Sequence, residues 1–258
     1  MIAGGYVAMG LFRNFASSKQ NKKMARKIIL ILSALLLTLS LSAQQPQKRI
    51  KVACVGNSIT EGVGSGDYEQ NSYPAQLQQL LGSGYDVRNF GVSSRTMLNK
   101  GDYPYMNEKA WRNALDFQPD IVIIKLGTND SKPENWRYGA DFQQDLEQMV
   151  LTLCPSLKPS AKGRSSAKCK KHRGKPQIFL CTPIPAFKPT WNINDSVISH
   201  AIIPIQREVA SKYGLRVIDL HTLYAGDGDK MLDDGIHPNA KGAERLAQLI
   251  APFIRKKR

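Results

Sequence analysis

Along the chain, short apolar runs alternate with longer stretches in which apolar side chains recur every three or four residues. The runs at Ile50–Val55, Asp86–Phe90, Ile121–Leu126, Gln177–Cys181 and Leu215–Leu220 have the length of strands, and Ile121–Ile124 is rich in β-branched residues. The periodic stretches predict helices over Ser72–Leu81, Asn107–Phe117, Gly139–Leu153, Val197–Tyr213 and Asn239–Ile254. Pro119 stops the second, Pro204 interrupts or kinks the fourth, Gly214 ends it, and Asn239 caps the fifth. Strands that alternate with helices imply a parallel sheet covered on both faces. In such sheets ligands bind beyond the carboxyl ends of the strands. That rule puts Ser58, Gly91, Asn129 and the pair Asp234 and His237 on one rim, after the first, second, third and fifth strands.

Composition changes this picture little: 42% hydrophobic and 22% charged residues over 258 positions is ordinary for a globular chain. Charge changes it more. A net charge of +15 raises nucleic acid as a partner, but the excess is confined to two segments. Residues 1–43 carry six basic and no acidic side chains, residues 154–175 carry eight and none, and the remainder holds 22 basic against 21 acidic. No nucleic-acid partner is expected, because the basic stretch 154–175 has no aromatic residues for base stacking.

The first of these segments reads as a leader over residues 1–43. From Met24 a basic start precedes the apolar stretch Ile28–Leu41 and the small residues Ser42 and Ala43, the layout of a secretory signal peptide. Met24 is then the expected true start and export the expected fate, with an N-terminal membrane anchor as the alternative. The stretch is short for a bilayer span, so no stable insertion is expected after cleavage. Residues 48–258 form one expected domain, and 154–175 reads as a surface insertion that either binds an acidic partner or is simply solvated. Cys154 and Cys169 bracket that insertion and could pair in an oxidising compartment, whereas Cys54 and Cys181 sit in apolar runs as buried thiols. A zinc site from Cys154, Cys169 and His172 lacks a fourth ligand, and no metal or organic cofactor is expected.

Four polar blocks carry candidate chemistry. Gly56-Asn57-Ser58 opens a tight strand-to-helix turn that can expose a hydroxyl, although Gly, Asn and Ser also make ordinary turns. Asn89-Phe90-Gly91 offers a backbone N–H to a close-lying substrate, or merely ends a strand. Gly127-Thr128-Asn129-Asp130 supplies a neutral amide suited to an oxyanion, or another turn. In Asp234-Gly235-Ile236-His237-Pro238 a carboxylate stands three residues before an imidazole, close enough to fix its tautomer. No Gly-Lys-Ser/Thr follows the first block, and Asp67 stands where a dinucleotide loop needs glycine.

In this order the four blocks resemble those of the SGNH hydrolases, also called the GDSL esterases, over roughly Ile50 to the C-terminus. The resemblance implies a three-layer α/β/α, flavodoxin-like fold with a five-stranded parallel sheet. It also implies ester hydrolysis with Ser58 as nucleophile, His237 as base and Asp234 as the acid of the triad. The oxyanion would be held by the N–H groups of Ser58 and Gly91 and the Asn129 amide. Asn57 stands where the family commonly has Asp, as in branches that act on sugar acetyl esters, the sialate O-acetylesterase-like ones among them. The expected substrate is therefore a small ester or an O-acetylated glycan. A lysophospholipase or thioesterase is the alternative within the family, and a glycan-binding protein without catalysis is the alternative outside it. Asn57, Trp136, Phe187 and Trp191 are the candidate substrate-binding residues, with Tyr103, Pro104 and Tyr105 as a further wall. Asp227-Gly228-Asp229 lacks the later ligands of a calcium loop and reads as a solvated turn. His200 and His221 are expected to take no part in catalysis.

Overall fold

The computed structural model describes residues 23–32, 48–157 and 175–255. Residues 1–48 and 49–258 form separate units. In the first, residues 23–32 are helical, with exposed side chains from Ile28 to Leu32. No described helix is long and apolar enough to cross a membrane. The basic insertion and Cys169 lie almost wholly outside the described residues, and with them the proposed Cys154–Cys169 pairing.

The second unit is built on five parallel strands: β1 (Ile50–Gly56), β2 (Tyr85–Gly91), β3 (Ile121–Lys125), β4 (Gln177–Cys181) and β5 (Arg216–Ile218). Their order is β2-β1-β3-β4-β5, so the chain reverses direction across the sheet at β1 and β3. Crevices open at such reversals, beyond the carboxyl ends of the strands. Gly56, Gly91 and Lys125 come level there through the register of β1 with its two neighbours.

Successive side chains of a strand point to opposite faces, and both faces here are apolar. Ala53, Val55, Val122, Ile124, Ile178 and Leu180 enter one core; Val52, Cys54, Ile121, Ile123, Phe179 and Cys181 enter the other. The first face is covered by α2 (Lys109–Asp116), α3 (Phe142–Leu153) and α4 (Ile203–Tyr213), which contribute Trp111, Phe142, Leu146, Met149 and Val209. The second is covered by α1 (Tyr73–Leu81) and α5 (Ala240–Ile254), which contribute Leu77, Leu246 and Ile250. This is the expected α/β/α sandwich. Cys54 and Cys181 are buried free thiols within it.

Element ends deviate where a turn competes with the periodic pattern. Gly139–Asp141 forms a 3-10 turn before α3, and Leu220 leaves β5 to start a helical turn capped by Asp219. The interruption attributed to Pro204 lies just ahead of it. Proline has no N–H to donate, and the ladder widens to a π-turn over Ile198–Ile202 in which Ile203 N–H bonds Ile198 O. Asn239 caps α5 by accepting from Gly242 N at 3.0 Å.

Candidate active site

Ser58 is the first residue of a single helical turn, Ser58–Glu61, that follows β1 directly. As the first residue it has no intrahelical partner for its N–H. Asn57 caps the turn, its Oδ1 accepting from Ile59 N at 3.2 Å. That role buries Asn57 completely and takes it out of the cavity, contrary to its expected contact with substrate.

His237 stands across from this turn. Its Nε2 lies 2.9 Å from Ser58 Oγ, and its Nδ1 lies 2.9 Å from Asp234 Oδ2. The other carboxylate oxygen of Asp234 accepts from Ile236 N at 2.7 Å and from His237 N at 2.8 Å. Partial burial raises the Asp234 carboxyl, but these N–H groups and the imidazole outweigh it and hold the group below the usual carboxylate value. The loop is clamped from outside. Thr190 Oγ1 donates to Asp234 O at 2.6 Å, Lys188 Nζ to Asp233 O at 2.8 Å, and Phe187 N–H to Gly235 O at 2.9 Å. Gly235, at φ +67°, meets this clamp so closely that a Cβ would strike the Lys188 backbone.

A cavity of about 360 Å³ opens beside Ser58 and His237. Asn129 lines it, and its Nδ2 donates to Arg95 O at 3.1 Å, which orients the amide and leaves a second N–H. Asn135 Nδ2 donates to Asn129 O at 2.9 Å, and Asp130 accepts from Met97 N and Leu98 N at 3.1 and 2.8 Å. Burial pushes the Asp130 carboxyl up to about 6 despite those bonds. Arg95 ties the same segment down through Glu108 at 2.8 Å and through Ser93 O at 2.8 Å, and the Ser93 hydroxyl donates to Glu61.

Gly91 does not reach the cavity. Its N–H donates to Asn89 Oδ1 at 2.9 Å, and its Cα lies against the backbone of Thr60 and Glu61, where a Cβ would collide. The glycine is required for that close approach of β2 to the Ser58 turn. Three residues on, Ser94 does line the cavity. It adopts φ +66°, unusual for a residue with a side chain, and its N–H forms no hydrogen bond among the described residues. No sequence signal marked it, because nothing local to Ser94 calls for a left-handed backbone.

Of the four candidate substrate contacts, Trp191 alone lines this cavity. Its indole meets the His237 ring edge-on, with centroids 5.4 Å apart, and it is 55% exposed. Trp136 turns inward onto Phe142, with ring centroids 5.8 Å apart, and Phe187 lines a neighbouring groove. Tyr105 is buried, its hydroxyl donating to Phe90 O at 2.6 Å, and neither Tyr103 nor Pro104 lines the cavity. Thr128 and Lys132 do line it and were not anticipated; Thr128 directly precedes Asn129 in its block, which was the signal available, whereas Lys132 lies three residues beyond Asn129 and outside that block. His221 lies 3.3 Å from Asp195, and His200 contacts Ser196 and Ser199, both apart from this cavity. Asp227 is ion-paired to Lys230 and Arg245, and no cluster of three candidate metal ligands occurs among the described residues.

An acidic group, an imidazole and a hydroxyl in line, next to a cavity with neutral N–H donors, can activate an alcohol for attack on a carbonyl. Comparison with known proteins points the same way. An acetylxylan esterase of Xylanibacter ruminicola is 63% identical over 207 residues, which are 80% of this chain and 43% of that protein. The chain thus spans less than half of that relative's length. A human isoamyl acetate-hydrolyzing esterase 1 homolog is 30% identical over 222 residues, covering 78% of this chain and 80% of that one. Among solved structures, the carbohydrate acetylesterase Est24 of Sinorhizobium meliloti superposes with a TM-score of 0.58 at 23% identity, over 80% of this chain and 98% of that one. An aryl esterase of M. smegmatis does so with a TM-score of 0.60 at 21% identity, over 80% and 98%. At those identities the likeness speaks for the fold. Residues 54–245 match the GDSL-like Lipase/Acylhydrolase family, and the chain belongs to it.

Proposed function

We propose that this protein is a serine esterase that removes acetyl groups from carbohydrate hydroxyls. The observation that carries this reading is the unbroken chain from Asp234 through His237 to Ser58, with both links at 2.9 Å. Ser58 Oγ attacks the ester carbonyl carbon and His237 Nε2 takes its proton, while Asp234 stabilises the imidazolium. The N–H groups of Ser58 and Ser94 and the Asn129 amide hold the oxyanion; Ser94 replaces Gly91 in this role, since the Gly91 N–H is spent on Asn89. The imidazolium then protonates the departing sugar hydroxyl. Water, deprotonated by His237, attacks acetyl-Ser58 and releases acetate.

The acyl group and the alcohol rest on different supports. Both relatives have acetate in their names, as acetylxylan and as isoamyl acetate, so acetyl is the acyl group they share. The sugar rests on the 63% identity to the acetylxylan esterase and on the exposed Trp191 beside the catalytic histidine, since an indole offers a flat apolar face to a sugar ring. Residues 24–43 serve, in this reading, as a cleaved signal peptide that exports the enzyme to polymers outside the cell.

The test is hydrolysis of p-nitrophenyl esters from acetate to decanoate, together with acetate release from acetylated xylan, by the protein and by Ser58→Ala. Acetate is expected to be the best acyl group, and Ser58→Ala is expected to lose nearly all turnover. A rate that climbs with acyl length would favour a lipid or thioester substrate. Undiminished turnover by folded Ser58→Ala would remove the nucleophile assignment.

A further inference from the structure

Next to the catalytic cavity lies a second depression of about 490 Å³. The two share Ile193, and the segment Thr190–Ile193 forms the ridge between them. On one side Trp191 stands over His237; on the other, Phe187, Pro189, Asn192 and Asn194 line the depression.

The ridge is held in an unusual conformation. Trp191 and Asn192 are consecutive residues with left-handed backbones, at φ +51° and +59°. Such strain persists where surrounding contacts impose it, and it concentrates at binding and catalytic sites. Here it turns one residue into the catalytic cavity and leaves the next on the wall of the adjoining groove.

The groove floor is equally fixed. The Phe187 ring rests on Gly228, where a Cβ would come within 3.0 Å of two ring carbons, and Phe187 N–H is tied to Gly235 O. The ring keeps an exposed surface of 36%. Asn194 spends its Oδ1 on Ser196 N and Val197 N, and its Nδ2 has no partner among the described residues. The Asn192 side chain likewise forms no hydrogen bond among them. An apolar ring seated on Gly228 and flanked by two exposed amides with donors free for a ligand suits one that presents both a C–H face and hydroxyl groups. A sugar ring does so, whereas an acyl chain would leave the amides unsatisfied.

We infer that this groove is a second sugar-binding subsite, which holds the residue next to the acetylated one in an oligosaccharide or polysaccharide chain. The inference rests on the carbohydrate esterase reading and extends it from a single acetylated sugar to a polymer. The ridge then sits between two consecutive sugars, with Trp191 against the one being deacetylated and Asn192 against its neighbour.

Two measurements on the full chain separate this proposal from the reading beneath it. The first compares kcat/KM on acetylated xylose, xylobiose and xylotetraose, each divided by kcat/KM on p-nitrophenyl acetate. The ratio is expected to rise about tenfold from one sugar to two, and to lose most of that rise in Phe187→Ala and in Asn192→Gly, which keeps the left-handed backbone. General damage to the protein cancels in the ratio. A flat ratio in a protein that hydrolyses p-nitrophenyl acetate overturns the subsite and leaves the esterase standing. The second is calorimetric titration of Ser58→Ala with unacetylated xylotetraose, which needs no catalysis. Binding weakened about tenfold by adding Phe187→Ala is expected. Absence of binding, or binding indifferent to Phe187, overturns the proposal even if the protein is not an esterase.

Discussion

At the scale of the residue, the site turns on which N–H groups are left unspent. Asn89 takes the Gly91 N–H, and in the proposed mechanism the donor expected there passes to Ser94. If the backbone of Ser94 does the work, its hydroxyl is dispensable. Ser94→Gly keeps the N–H and suits φ +66°, so kcat on p-nitrophenyl acetate should stay close to that of the native protein. Asn129→Ala, which deletes a side-chain donor, should lower kcat by about 10²–10³. A loss in Ser94→Gly as deep as that in Asn129→Ala would assign the role to the hydroxyl instead. Ser58, Asn129, Asp234 and His237 were legible because each lies in a short block whose residue types are needed together. Ser94 was not, because its backbone angle is imposed from outside its own block. Asn129 bonds the carbonyl of Arg95, and Glu108 pairs with the Arg95 side chain.

At the scale of the element, five strands and five helices were readable from apolar periodicity, and the errors collect at their ends. A period says which side chains face the core but not where a 3-10 or π turn takes over, as at Gly139–Asp141 and Ile198–Ile202. Gly91 shows the same boundary between local and tertiary information. A glycine at a strand end fits equally a donor facing substrate and a close packing contact. The fold decides for the contact, since β2 and the Ser58 turn meet at Gly91 backbone to backbone. Gly91→Ala should therefore push Ser58–Glu61 away from β2. Overpacking typically costs about 1–3 kcal/mol in stability, and a displaced nucleophile lowers kcat as well. Thermal melts and p-nitrophenyl acetate turnover on the same preparation check both parts. An alanine variant of native stability and rate would show that the turn has room to move.

At the scale of the whole molecule, the sheet carries one buried cation. Lys125 ends β3 with 1% exposure, and its Nζ has no hydrogen-bond partner among the described residues. Burial pushes its ammonium down to about 8. Because the folded value lies below the unfolded one, the unfolded chain binds more protons between pH 8 and 10.5, and stability rises with pH across that window. Below it the penalty is present in full. Lys125→Met should therefore stabilise the protein by about 3 kcal/mol at pH 7, with the gain fading as pH approaches the unfolded lysine value. Denaturant titrations at pH 7 and 10 would expose a gain independent of pH, which would mean that the ammonium is solvated or paired. The two cores between which Lys125 lies were foreseeable in outline, since strands apolar on both faces need helices on both sides. Alternation of apolar and polar positions is a local property, and the sequence by itself determined the α/β class, the strand rim and the order of the four blocks on it. Only the tertiary structure decided which N–H groups stay free, that Trp136 turns inward while Trp191 turns out, and that a groove adjoins the site. Those outcomes depend on hydrogen bonds and contacts between residues far apart in sequence, such as Asn129 with Arg95 and Thr190 with Asp234, and no stretch of the chain contains both partners in its own pattern.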